Sequence, residues 1–407
     1  MINPRPKGQA RIFRLLQPYT MGFLTYSEGC NDDVNKIIWS ALGWDPEADV
    51  VEVLREYSRY FIGERYGDSF AQGLLALERN WQGPLLTNAG VYTTLRQFQA
   101  MEKTASPGLR QNWRFQQALY RAYYDGFIRS RLIYESALEE QALNSLRHAQ
   151  KIGSERAISE AEGILDRAVS RPVSKDWSAR VYELAEALFQ SIRMQLSVPR
   201  YKAIAVDRGA NLDMVEFPLN NRPWLKVRFA ELRKMPEESA RLQAIEEMLG
   251  WTDPGPGGYY DDLGNPMRQP HLERGKGFVA DPAFLESSLV GFAFRVPEPV
   301  RTSWWHHAEA LNDSPLHMRY EHLDPSLRYK VRIVYAGDSP TRKIRLDADG
   351  IEVHPLIQKP LPVRPVEFDI PAKATEDGQL RLTWNPEPGL GGNGRGTQVA
   401  EVWLIKR

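Results

Sequence analysis

Apolar and polar positions alternate in two different ways along this chain, and the change of period divides it. Up to about residue 198, apolar side chains recur every three or four residues. In 49–62, for example, Val50, Val53, Leu54, Tyr57, Tyr60 and Phe61 fall on one helical stripe. The same reading predicts helices over 5–17, 32–42, 69–81, 89–105, 109–150, 154–169 and 177–196. Pro18 stops the first and Asp45-Pro46 the second. The helix over 109–150 would run about 60 Å at 1.5 Å per residue, and Gly126 is where a break is expected. From Phe292 onward the period becomes two. Strands are expected over 318–320, 329–335, 343–348, 351–354, 366–370, 379–384 and 398–405, with turn signals at Asp349-Gly350 and Asp377-Gly378.

Two stretches fit neither pattern. Residues 21–26 form a short apolar run, read as a strand, that ends abruptly in Ser27-Glu28-Gly29-Cys30-Asn31-Asp32-Asp33 and passes directly into a helix. A strand that delivers carboxylates to its C-terminal end and turns into a helix is how α/β barrels build active sites. Residues 199–290 are irregular apart from expected helices at 224–234 and 237–249, and they contain a loop of about thirty residues opening at Pro254. The expected architecture is therefore multidomain α+β. It comprises a remnant of the last strand and helix of a (β/α)8 barrel (1–45), an all-α domain (46–198), a connector with short helices (199–290) and an antiparallel, jelly-roll-like β-sandwich (291–407).

Composition narrows the function classes. In 407 residues, Lys+Arg and Asp+Glu both number 52, so no net charge draws the chain to nucleic acid or an anionic membrane. No run of 18 apolar residues exists, and no membrane association is expected. The one cysteine, Cys30, excludes an internal disulfide and a cysteine-rich metal site. Neither a metal nor a cofactor is expected. The aromatic count (11 Trp, 17 Tyr, 15 Phe) suits sugar stacking, although core filling is the commoner use of such residues.

Two clusters carry candidate chemistry. In the first, Glu28 is the candidate catalytic carboxylate, with Asn31, Asp32 and Asn35 as candidate sugar-binding neighbours; Asp32 and Asp33 would equally suit the first turn of a helix. In the second, Tyr259, Asp261, Asp262 and His271 (with Tyr260 and Arg274 beside them) combine acids and aromatics as carbohydrate sites do. The same acids could instead make turns or hold a calcium ion. Trp304-Trp305-His306-His307 lacks a third ligand at metal-site spacing. The Gly-rich run 389–396 lacks the strand-to-helix context of a phosphate loop.

The segment 26–63 resembles the end of the catalytic barrel in α-glucuronidase-like glycoside hydrolases and their bacterial relatives. The resemblance rests on Tyr26-Ser27-Glu28-Gly29, Asn31-Asp32-Asp33-Val34-Asn35-Lys36, Leu42-Gly43-Trp44-Asp45-Pro46 and Glu56-Tyr57 with Tyr60, Phe61 and Gly63. It implies that the chain is the C-terminal portion of a carbohydrate-active glycosidase. Glu28 would contribute to the sugar site from the last barrel strand, while the family's principal acid and base lie on earlier strands with no counterpart here. Such a piece would be inactive alone, and exported only if its parent is. The alternative is a stand-alone carbohydrate-binding or scaffold protein working through the sandwich and the 259–271 loop. Sugar, linkage, oligomeric state and compartment are not legible.

Overall fold

The computed structural model describes residues 2–25, 32–277, 280–281, 286–293, 299–337, 341–389 and 395–407. The chain is α+β and divides into two compact units, Met1–Leu138 with Asp166–Leu219, and Glu139–Leu165 with Asn220–Arg407.

The first unit is helical. Pro6–Leu16, Asp33–Trp44, Val50–Phe61, Gly67–Arg79, Gly90–Thr104 and Lys175–Ile192 match the expected stripes to within four residues. Their apolar faces meet around Leu54, Phe70, Phe98, Phe115, Tyr120 and Leu188, all buried. Asp49 caps the Val50–Phe61 helix by accepting the amides of Val51 and Glu52. The expected break at Gly126 is absent, and the helix Trp113–Arg147 runs through it. The glycine serves close packing instead: a Cβ there would lie 2.6 Å from the Leu95 side chain. Residues 21–25, expected as strand, carry no regular structure. Residues 26–31, with Glu28 and Asn31, lie outside the described residues.

The second unit has a helical part and three antiparallel sheets. Its helices Ser154–Leu165, Arg222–Leu232 and Glu238–Leu249 pack Ile158, Leu165, Leu225, Phe229 and Ile245 together. The strands are β1 (Tyr259–Asp262), β2 (Leu289–Phe292), β3 (His306–Leu311), β4 (Leu316–Tyr320), β5 (Tyr329–Val334), β6 (Lys343–Ala348), β7 (Ile351–Gln358), β8 (Pro365–Asp369), β9 (Leu380–Pro386), β10 (Arg395–Val399) and β11 (Glu401–Lys406). They are ordered β1-β11-β5-β8, β10-β3-β2 and β4-β9-β6-β7. One core draws on all three sheets, with Ala308, Met318, Tyr320, Val331, Ile333, Leu346, Leu382, Trp384, Val402 and Leu404 buried in it.

The single strand expected over 398–405 is two. β10 pairs with β3, and β11 pairs with β5 and β1. The change of sheet falls at Ala400, whose amide donates to the Val334 carbonyl at 2.9 Å. Period-two reading cannot see such a change, because both halves are buried and apolar. Trp304 lies in the helical turn Thr302–Trp305 that precedes β3.

Candidate functional site

Near the N-terminus, Asp33 and Asn35 are engaged in internal contacts. Asn35 is buried and its amide is committed, with Oδ1 accepting the Arg5 amide at 2.8 Å and Nδ2 donating to the Asn3 carbonyl at 3.0 Å. Asp33 accepts from Arg114 Nε at 2.9 Å and from the Tyr57 hydroxyl at 2.7 Å. The Arg114 guanidinium lies over the rings of Phe61, at 3.7 Å, and Trp113, at 4.0 Å. Desolvation beside the Asp33 carboxylate pushes the Tyr57 phenol well up, so it stays a donor. Asp32 precedes the helix without making a side-chain cap. Asp33→Ala should therefore lower stability by about 1–3 kcal/mol, leaving Arg114 and Tyr57 without their acceptor. Asp32→Ala should stay within about 0.5 kcal/mol of the parent in urea denaturation.

The 259–271 cluster does assemble, but on two faces. β1 is an edge strand, paired only with β11, and its side chains alternate. Tyr259 and Asp261 point to one side, Tyr260 and Asp262 to the other.

On the first face, Asp261 is fully buried and accepts from His271 Nδ1 at 2.9 Å and from the Tyr320 hydroxyl at 3.2 Å. The His271 amide also donates to Asp261, at 3.2 Å. The imidazole stacks on Tyr320 with centroids 4.4 Å apart and meets Tyr259 edge-on at 4.8 Å. Its backbone is held too: Arg319 N–H donates to the His271 carbonyl at 2.8 Å, and Leu272 bridges to Met318. With Nδ1 fixed by Asp261, Nε2 points away from the carboxylate, and one fifth of the side chain is exposed. Tyr259 is half-buried beside it. The result is a fixed ring with a polar tip, flanked by two further aromatic rings at an open sheet edge.

The second face is closed. Glu401, fully buried and directly opposite Asp262 across the ladder, accepts from the Tyr260 hydroxyl at 2.7 Å, from Trp304 Nε1 at 2.7 Å and from Trp251 Nε1 at 3.2 Å. Arg301 Nε lies 3.9 Å away, and its guanidinium sits over the rings of Trp224 and Trp251 at 4.8 Å each. Trp403 donates from Nε1 to the Trp251 carbonyl at 3.0 Å. Burial first, and then the charge of Glu401, push the Asp262 carboxyl up to about 7. Two neighbouring carboxyls are what glycosidic cleavage uses. Glu401, however, is sealed behind its three donors and offers no path to a nucleophilic or basic role.

Sequence reading singled out Trp304 but had no means of finding Glu401, Trp251, Arg301 or Tyr320, which join the cluster only through strand register. Elsewhere, Asn221 donates from its amide and from Nδ2 to Glu139, while its Oδ1 accepts the Thr302 amide; it organises its loop. Among the described residues, no group of three or more His, Cys, Asp or Glu is placed to hold a metal ion. No described helix is long and apolar enough to cross a membrane.

No family model and no curated protein matches the chain. Solved structures to which it is similar include the protein YxiM of Bacillus subtilis, at 12% identity and a TM-score of 0.24 over 37% of this chain and 40% of that one. Another is BtGH115A, a family GH115 4-O-methyl-α-glucuronidase with specificity for decorated arabinogalactans. It is 10% identical with a TM-score of 0.24, over 93% of this chain and 44% of that one. The chain thus spans less than half the length of either structure. A likeness of that degree carries no argument about fold or activity.

Proposed function

We propose that this chain binds carbohydrate, as part of a glycoside-hydrolase-like protein. In this reading residues 1–45 are the end of a catalytic barrel with Glu28 as their candidate contribution, 46–198 form the helical domain and 199–290 the connector. Residues 291–407, with their common core, serve as the β-sandwich. The sugar is held at the partly exposed Tyr259 and His271, with buried Asp261 orienting the imidazole. The role of Glu28 rests on the resemblance at 26–63.

The observation that carries the reading is the His271 ring, oriented by buried Asp261 and flanked by Tyr259 and Tyr320 at a sheet edge. Aromatic faces take the apolar faces of sugar rings, and an imidazole with one nitrogen fixed offers the other to a hydroxyl. The face is partly exposed and its members hold one another in place, so little ordering is required on binding.

Isothermal titration of the whole chain with a panel of neutral and acidic oligosaccharides should find a ligand. Both His271→Ala and Tyr259→Ala should weaken that binding tenfold or more, which is about 1.4 kcal/mol. An arylglycoside screen with the same protein should release no product. Unaltered affinity in both variants, or no binding by the parent to any oligosaccharide, would sink the reading.

A further inference from the structure

The two faces of β1 share four residues, so whatever governs one governs the other. Among the described residues only β11 pairs with this strand, over Tyr259↔Leu404, Tyr260↔Trp403, Asp261↔Val402 and Asp262↔Glu401. Directly opposed side chains on one face of an antiparallel pair have their Cβ atoms about 4.5–5.5 Å apart, and like charges at that spacing destabilise the pair. The last rung of β1 therefore opposes two carboxyls.

Glu401 is the one fitted to carry charge, since three N–H or O–H donors converge on it. Asp262 is not so served. Its Oδ1 is buried without a hydrogen-bond partner among the described residues. The charged groups facing it are Glu401 from β11, Arg268 from the turn after β1 and Arg301 from the segment before the Thr302–Trp305 helix; Tyr260 stands beside it on its own strand. A carboxyl so placed is accommodated neutral far better than charged.

We propose that the Asp262–Glu401 pair is a proton-dependent clasp, which holds β1 closed on β11 when Asp262 is protonated and so keeps the Tyr259–Asp261–His271 face assembled. This regulation rests on the reading of that face as a carbohydrate site. Releasing β1 would carry Asp261 away from His271 and Tyr320, and the ring would lose the acceptor that orients it.

The sign follows from the two states. In the closed strand Asp262 holds its proton up to about 7, whereas freed into water it returns to its ordinary value of 3.8. The closed state thus binds more protons between those limits, and its advantage is complete below pH 3.8 and lost as pH rises through about 7. Strand opening should increase by up to about tenfold per pH unit across that interval and level off above it.

Hydrogen exchange of peptides covering Tyr259–Asp262 tests this between pH 5 and pH 8, after correction for intrinsic exchange rates. In the parent chain, protection should fall by between tenfold and a hundredfold from pH 5 to pH 7 and then flatten. Asp262→Asn, which cannot ionise, should keep its protection throughout. Parallel profiles for the two proteins would overturn the clasp. Should circular dichroism show that the Asn variant does not fold, a ¹³C-carboxyl titration of Asp262 in the parent decides: a midpoint near 7 supports the clasp and one near 4 overturns it.

Oligosaccharide titrations at pH 5 and pH 8 separate this proposal from the reading beneath it. Loss of protection without binding at either pH leaves the clasp standing and sinks the carbohydrate assignment. Equal binding at both pH values retains the assignment and overturns the clasp.

Discussion

Glu401→Ala is expected to destabilise the sheet-containing unit by about 3–5 kcal/mol, as removal of one partner from a buried charged network does. The carboxylate is fully buried, and it is the common acceptor for Tyr260, Trp251 and Trp304. These three groups come from β1, from just past the Glu238–Leu249 helix and from the Thr302–Trp305 turn, so one side chain ties three separate segments to β11. Truncation leaves three buried donors without an acceptor and removes the counter-charge near Arg301. Glu401→Gln keeps the volume and one acceptor oxygen, and should cost about 1–3 kcal/mol. The same Ala change removes the like charge from beside Asp262, whose carboxyl should then titrate nearer its ordinary value. Guanidinium unfolding followed by tryptophan emission reads the effect directly, because the indoles of Trp251 and Trp304 contact the deleted group. A midpoint in Glu401→Ala that matches the parent would show that water, and not this carboxylate, satisfies the three donors.

The same residue shows where sequence stops being legible. Helices in the first unit could be read because each buries one stripe and exposes the rest, and the period of Val50, Val53, Leu54 and Tyr57 carries that asymmetry along the chain. The strands of the second unit were legible where one face is wet: in β9, Leu380, Leu382 and Trp384 are buried while Arg381 between them is exposed. They were obscure where both faces are covered, as in β11, where Glu401, Val402, Trp403 and Leu404 are all buried. A buried Glu beginning an apolar run gives no sign in sequence of the three donors that will surround it.

The candidate site was half legible for a related reason. Tyr259, Tyr260, Asp261, Asp262 and His271 attract attention together because they are close in sequence. The pleat separates them, and strand period alone assigns Asp261 and Asp262 to opposite faces once β1 is recognised as a strand. Recognition failed because the four residues are flanked by Pro254, Gly255, Pro256, Gly257 and Gly258 on one side and Gly264, Asn265 and Pro266 on the other, all of which signal loop. Asp33 and Asn35 illustrate the opposite case. Their nearness to Glu28 suggests a shared role in sequence, whereas in space they turn inward to Arg114 and to the backbone at Asn3 and Arg5.

Trp384→Ala should be as damaging as the loss of Glu401, for a different reason. The indole is fully buried in the core shared by all three sheets, and deletions of this size leave a cavity worth about 3–5 kcal/mol. It also heads a relay: Trp384 Nε1 donates to the Tyr335 hydroxyl at 3.0 Å, and Tyr335 donates to His354 Nε2 at 2.7 Å. His354 Nδ1 in turn lies 2.8 Å from the Pro355 carbonyl and donates to it, so the ring is neutral with one defined tautomer. Trp384→Phe preserves most of the volume, removes only the first donor and should cost about 1 kcal/mol. Burial, the largest cause, holds the His354 imidazole below its ordinary value of 6.5, and it does the same to His306 and His317. These three imidazoles therefore bind fewer protons folded than unfolded once pH drops past about 6.5, and each subtracts stability as the solution is acidified through that value, opposite in sign to Asp262. Protonating His354 would also place an N–H where Tyr335 now donates, which breaks the relay from its far end. Acidification from pH 7.5 to pH 5 should consequently shift the denaturation midpoint less favourably in the parent than in His354→Gln, which lacks this loss. Identical slopes in the two proteins would remove His354 from the acid response and leave it to His306 and His317.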